Sequence, residues 1–206
     1  MRPDLDVVAA MVGEGERVLD LGCGDGVLLE HLIRHRGCSG HGVERDADRF
    51  HECIARGVPV TQGELEAELD RTAAGAFDCA VLSLTLQATR HPDRVLEGMR
   101  RVAPRRVVSL PNFGHWRLRA DLAGRGRMPV TRILPHTWYE SPNIHLCTLA
   151  DFEDLVAQIG MRIARRTLLD EMIQVLIRLE QGALGACTRR DVPLQQLVKT
   201  DQHRNG

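Results

Sequence analysis

The run Asp20-Leu21-Gly22-Cys23-Gly24-Asp25-Gly26 stands where an apolar stretch, Arg17-Val18-Leu19-Asp20-Leu21, hands over to an amphipathic one over residues 27–36. Gly22 and Gly24 let the backbone turn sharply and let a ligand approach with no Cβ in the way. Leu28, Leu29, Leu32 and Ile33 repeat at helical spacing and lie on one face. A buried strand, a glycine turn and a helix make the first half of a βαβ unit, and the pattern recurs downstream. Strands are predicted over 40–44, 58–61, 77–82 and 105–110, and helices over 46–56 and 92–101. Strands alternating with helices commit the chain to a doubly wound, mostly parallel α/β sheet with right-handed crossovers.

The alternation stops at Pro111. Residues 111–147 have no sustained periodicity, yet they hold Phe113, Trp116, Trp138 and Tyr139, four of the seven aromatic residues in the chain. A connection this long inside a compact domain is usually functional or disordered, and aromatic side chains seek burial or a ligand. Regular structure resumes with a helix over 149–159, capped by Thr148 and stopped by Gly160, and a strand over 161–169. Residues 174–177 fit a strand or, with Met172 and Ile173, a helix face. Residues 1–190 are expected to form one domain carrying the 111–147 insert, followed by a polar tail over 191–206.

With 206 residues and a formal net charge of -1, the chain suits one domain and has no general attraction to nucleic acid or anionic membrane. No apolar run approaches the roughly 20 residues that span a bilayer. Met1-Arg2-Pro3-Asp4 does not begin a signal peptide. Cys23, Cys38, Cys53, Cys79, Cys147 and Cys187 form no C-x-x-C pair and no zinc spacing, so reduced thiols in a cytoplasmic protein, with no metal, are expected.

The spacing G-x-G-x-G departs from the dinucleotide fingerprint G-x-G-x-x-G. Asp20 would repel a pyrophosphate but orient a cationic amino-acid group. Glu44 ends the second strand, 22 residues after Gly22, where a carboxylate accepts both hydroxyls of a ribose. A sulfonium nucleoside with an amino-acid tail fits this pattern better than NAD.

Residues 20–26 resemble the first motif of class I methyltransferases. That resemblance implies a Rossmann-like, seven-stranded sheet with S-adenosylmethionine or S-adenosylhomocysteine along its carboxyl edge. Asp20, Gly22, Cys23, Gly24 and Gly26 would form the cofactor loop and Glu44 would hold the ribose. Glu64 and Leu65 would lie near adenine, and Ser83 near the methionine end. A closer resemblance covers about residues 17–170. Beside residues 18–26, it rests on Ser83-Leu84-Thr85-Leu86-Gln87, Pro111-Asn112-Phe113-Gly114-His115-Trp116, Gly126-Arg127-Met128-Pro129 and Trp138-Tyr139-Glu140-Ser141-Pro142-Asn143-Ile144-His145. These runs resemble the MetW family, with Leu84 and Leu110 as departures. The resemblance implies an accessory subunit in methionine biosynthesis, bound to and supporting homoserine O-acetyltransferase. The insert would then be its partner surface or a lid over the cofactor.

The alternative is an active S-adenosylmethionine-dependent methyltransferase acting on a small molecule. His115, Tyr139 and His145 are then the candidate bases, although a lone histidine in an aromatic loop is more often simply packed and hydrogen-bonded. Trp116, Arg127, Trp138 and Tyr139 are the partner-binding candidates, because arginine with tryptophan is the composition of interface anchors. The fourth strand lacks the Asn-Pro-Pro-aromatic run of nucleobase methylation, and no G-x-S-x-G elbow marks an acyltransferase.

Overall fold

A computed structural model describes residues 3–131, 134–169 and 174–182. Helix α1 (Pro3–Met11) precedes five alternating units: β1 (Arg17–Leu21), α2 (Val27–Arg36), β2 (Ser39–Glu44), α3 (Ala47–Ala55), β3 (Val60–Gln62), α4 (Leu65–Arg71), β4 (Cys79–Ser83), α5 (Pro92–Val102) and β5 (Arg105–Pro111). Then follow α6 (Trp116–Arg125), α7 (Leu149–Gln158), β6 (Met161–Leu169) and β7 (Gln174–Gln181). The sheet has seven strands in the order β3-β2-β1-β4-β5-β7-β6. β1 to β5 run parallel, whereas β7 inserts antiparallel between β5 and β6.

The expected doubly wound, mostly parallel sheet is therefore present, and the segment open to either reading is a strand. One apolar layer lies under α4, α5 and α7, with Leu19, Leu21, Leu82, Met99 and Phe152 at its centre. The other lies under α1, α2 and α3, with Val8, Val18, Leu29, Cys53 and Val81. Arg17 registers β1 against the start of β4: its N–H and its guanidinium both donate to Asp78, whose carboxyl is held down at about 2 by those bonds.

Three local expectations are corrected, and one helix is added that the periodicity did not predict. The third strand begins at Val60, because Gly57 turns left-handed after α3 and Val58 is drawn into the core before pairing starts. The fourth begins at Cys79: Asp78 donates its N–H to Arg17 O at 2.9 Å, and the Asp78 carboxylate in turn accepts the N–H of Arg17. The short acidic stretch after β3 is α4, whose only apolar anchors are Leu65 and Leu69, one turn apart. The insert is not wholly irregular. His115 caps α6, its Nδ1 accepting the N–H of Arg117, and Gly126 ends it with φ near 61°. Thr148 caps α7 as expected, through a reciprocal pair with Asp151. Met172, Ile173, Arg132, Cys187 and the 191–206 tail lie outside the described residues.

Strand order reverses between β1 and β4, which are neighbours although β2 and β3 intervene in the chain. Loops leaving the carboxyl ends of such a strand pair diverge to opposite faces of the sheet and open a crevice. The Gly22–Gly26 turn leaves one of those strands and Ser83–Thr85 leaves the other.

Candidate functional site

A cavity of about 890 Å³ occupies that crevice. Of the residues singled out in the sequence, Asp20, Gly22, Cys23, Gly24, Glu44, Glu64, Leu65 and Ser83 all line it. Gly26 does not. It starts α2 with φ near 76°, and a Cβ there would meet Cys53 Sγ at 2.9 Å, so it brings α2 against α3. At Gly22, φ is near 71° and a Cβ would lie 2.7 Å from the Thr85 side chain. A backbone both left-handed and pressed against β4's outgoing loop admits only glycine.

Asp20 is 2% exposed, and its carboxyl has no hydrogen-bond or ion-pair partner among the described residues. Burial, and then the neighbouring Glu44 charge, push it up to about 7. The carboxyl opens on the cavity, so a ligand there can supply the donor that the protein does not. Glu44 is already engaged. One oxygen accepts Gly24 N–H at 2.9 Å, and the other accepts the N–H groups of Arg45 and Asp46 at 2.8 and 2.9 Å. The carboxylate expected to meet a ribose thus also braces the glycine loop. Glu64 precedes α4 and lies 3.8 Å from Arg45 in an exposed pair, while Leu65 is buried beneath it. Ser83 Oγ shares a hydrogen bond with Ser109 at 3.1 Å.

Six carboxyl side chains line the cavity against three guanidiniums, those of Arg45, Arg49 and Arg90. This balance attracts a cation and repels a pyrophosphate. With the unmatched Asp20 and the Gly22 cradle, the lining fits a nucleoside that carries an ammonium and a sulfonium.

The candidate bases lie elsewhere: His115, Tyr139 and His145 do not line the cavity. His115 is 3% exposed, and burial, then Arg117, lowers its pKa. Its Nε2 and that of His145 are buried without partners among the described residues. The cavity wall instead takes His136, Pro142 and Ile144 from the insert and Leu84, Thr85 and Arg90 from the loop after β4. Thr85 stood inside a family run, whereas nothing in the spacing around His136 singles it out. Leu84 adopts φ near 51°, unusual for a leucine.

Trp138 and Tyr139 face outward, their rings edge to face with centroids 5.6 Å apart. Together with Arg127, Met128 and Val130 they line a second, shallower cavity of about 720 Å³. Trp116 is exposed, with the Arg117 guanidinium 5.4 Å from its ring centre. Among the described residues, eight of the ten large exposed apolar side chains lie between residues 116 and 146. Exposed apolar side chains gathered in one region are a common feature of interaction surfaces. Among the described residues, no helix is long and apolar enough to cross a membrane.

A family model described as "Methionine biosynthesis protein MetW" matches residues 2–183. A curated relative from Rhodopirellula baltica, the "Bifunctional methionine biosynthesis protein MetXA/MetW", is 31% identical over an alignment of 176 residues that covers 81% of this chain. The chain spans only 28% of that relative's length. Among solved structures, a methyltransferase of Thermotoga maritima described as a possible histamine N-methyltransferase is similar at 18% identity. Their TM-score is 0.63, with 86% of this chain and 87% of that chain covered. A Mesorhizobium loti S-adenosylmethionine-dependent methyltransferase is similar at 20% identity and a TM-score of 0.63, with 87% and 96% covered. At these identities the two structures speak to fold alone.

Proposed function

The chain belongs to the MetW family of methionine biosynthesis proteins, and from that premise we propose that it is a methyltransferase-fold subunit that supports homoserine O-acetyltransferase. We place S-adenosylmethionine, or S-adenosylhomocysteine, in the 890 Å³ cavity. The observation that carries the cofactor is the buried, unmatched carboxyl of Asp20 at the strand-order reversal. Asp20 would take the ligand's amino-acid end, Gly22 and Gly24 would let it approach, and Glu44 would hold the ribose. The sulfonium would supply an activated methyl group if transfer occurs.

Support for the partner comes from the fused relative, whose name joins MetXA and MetW in one polypeptide, and from the exposed insert. Trp116, Arg127, Trp138 and Tyr139 are its anchors in this reading. Residues 1–190 act as one domain in the cytoplasm. The experiment is acetyltransferase activity of the same organism's enzyme with and without this chain, paired with sizing chromatography. Stimulation with co-elution supports the subunit. Absence of both stimulation and co-elution overturns it.

Methyl transfer to a small molecule is the second reading. It is favoured by His136, an imidazole on the cavity wall. Release of S-adenosylhomocysteine in a metabolite extract, lost in His136→Ala, is its test.

A further inference from the structure

Residues 134–147 run as a strap with two working faces. Leu134 is buried and closes a turn on Thr131. At the other end, the backbone carbonyl of Gln87 accepts the N–H groups of Ile144 and His145 at 2.8 and 3.0 Å, and Cys147 O accepts Phe113 N–H at 3.2 Å. Gln87 itself is fixed under the cavity loop, its amide donating to Leu84 O at 2.7 Å. Between these pins, the hydrogen bonds of residues 135–143 are internal: Glu140 N–H to Thr137 O at 3.1 Å, Thr137 Oγ1 to Glu140 at 2.7 Å and Asn143 N–H to Ser141 Oγ at 3.2 Å.

The inner face of the strap gives His136, Pro142 and Ile144 to the cavity wall, yet Ile144 remains 61% exposed. A ligand in the cavity would cover apolar surface that the protein leaves open. The outer face gives Trp138 and Tyr139 to the groove opposite Arg127, Met128 and Val130. Arg125 pairs with Asp121 at 3.2 Å, whereas Arg127 has no ion pair among the described residues. An apolar groove edged by an unpaired guanidinium matches a protein segment that offers an apolar side chain beside a carboxylate.

We infer that the strap couples the two sites: filling the cavity orders it from within, and the ordered Trp138–Tyr139 wall then grips an acidic, apolar-tipped segment of the acetyltransferase more tightly. This rests on the cofactor and partner readings above. Its physical basis is entropic, because a strap already ordered by one ligand loses less freedom on binding the next. Linkage requires the converse, that the partner tightens the cavity ligand by the same factor.

For the emission measurement alone, the full chain carries Trp116→Phe so that Trp138 is the sole tryptophan; partner affinity is measured on the unsubstituted chain. S-adenosylhomocysteine is titrated with calorimetry and Trp138 emission in parallel, and partner affinity is measured with and without it. The expected result is a saturable emission change and partner binding tightened by roughly five-fold or more. Calorimetric binding with unchanged emission and unchanged or weakened partner affinity overturns the coupling and leaves the cofactor reading standing. Absence of any S-adenosylhomocysteine binding overturns both. A Trp138→Ala, Tyr139→Ala double variant should bind S-adenosylhomocysteine as the parent does, which also reports its folding, while losing about ten-fold or more in partner affinity. Undiminished partner binding by that variant overturns the docking wall.

Discussion

Glu44 at the end of β2 accepts the backbone N–H of Gly24 at 2.9 Å, so the second strand holds the turn that leaves the first. Its other oxygen takes two further backbone donors, and the carboxylate is a structural brace as well as a ligand candidate. Glu44→Gln must turn an amide N–H₂ toward backbone donors on one side. Hydrogen bonds to a charged acceptor contribute about 1.5–3 kcal/mol each. We expect S-adenosylhomocysteine affinity to fall by about ten-fold or more, with a lower melting temperature in the ligand-free protein. An affinity loss with unchanged melting would mean that the brace carries no stability.

Asp20 gives a pH dependence of defined sign. Its folded value of about 7 lies above the ordinary carboxyl value of 3.8, so the native state binds a proton that the unfolded state has released. Ligand-free stability should therefore fall as pH rises from about 4 to about 7, and level off above. Asp20→Asn should flatten that slope, measured by denaturant unfolding at a series of pH values. A ligand that supplies a donor or a cation favours the ionised form. Affinity should then rise between pH 6 and 8, with proton release visible in calorimetry across buffers of different ionisation heat.

Gly22→Ala combines a strained left-handed backbone with a methyl pressed against Thr85. We expect loss of cavity binding with the fold retained, as judged by circular dichroism. Adding Thr85→Ala removes the two atoms at 2.7 Å but leaves φ near 71°, so rescue should be partial. Full rescue would show that only the side-chain contact matters.

Cys23 and Cys53 lie with their sulfurs 3.7 Å apart, and Cys53 Sγ donates to Gly24 O at 3.1 Å. Burial pushes both thiols up, and thiolate is the reactive form. Alkylation by iodoacetamide at pH 8, followed by mass spectrometry, should leave both unmodified in the native protein and label both in denaturant. Rapid native labelling of Cys23 would mean that the glycine loop opens.

How far the chain could be read without coordinates differs along its length. β1, α2, α5 and β5 were legible because each is a long apolar or 3.6-periodic run bounded by glycine or proline. The cofactor loop was legible because Gly22 and Gly24 stand directly after a buried strand. α4 and α6 were not, since each buries only one or two apolar side chains and owes its helix to neighbours: Leu69 against α5, and His115 as a cap. The candidate site divides the same way. Glu44 and Ser83 end their strands and Asp20 is the last residue but one of its own, so local order in the chain places them at the sheet's carboxyl edge.

Sequence by itself thus determined the sheet's direction, its glycine turn and its carboxylates, because alternation and positive-φ turns are properties of neighbouring residues. Tertiary structure alone decided that His136, Pro142 and Ile144 meet that turn while His115 and Tyr139 do not. It also decided that Trp138 faces outward and that Glu44 is shared between loop and cavity. Those relations join residues far apart in the chain, from Gly24 with Glu44 to Gly22 with Ile144, where chain order carries no information and packing sets the distance.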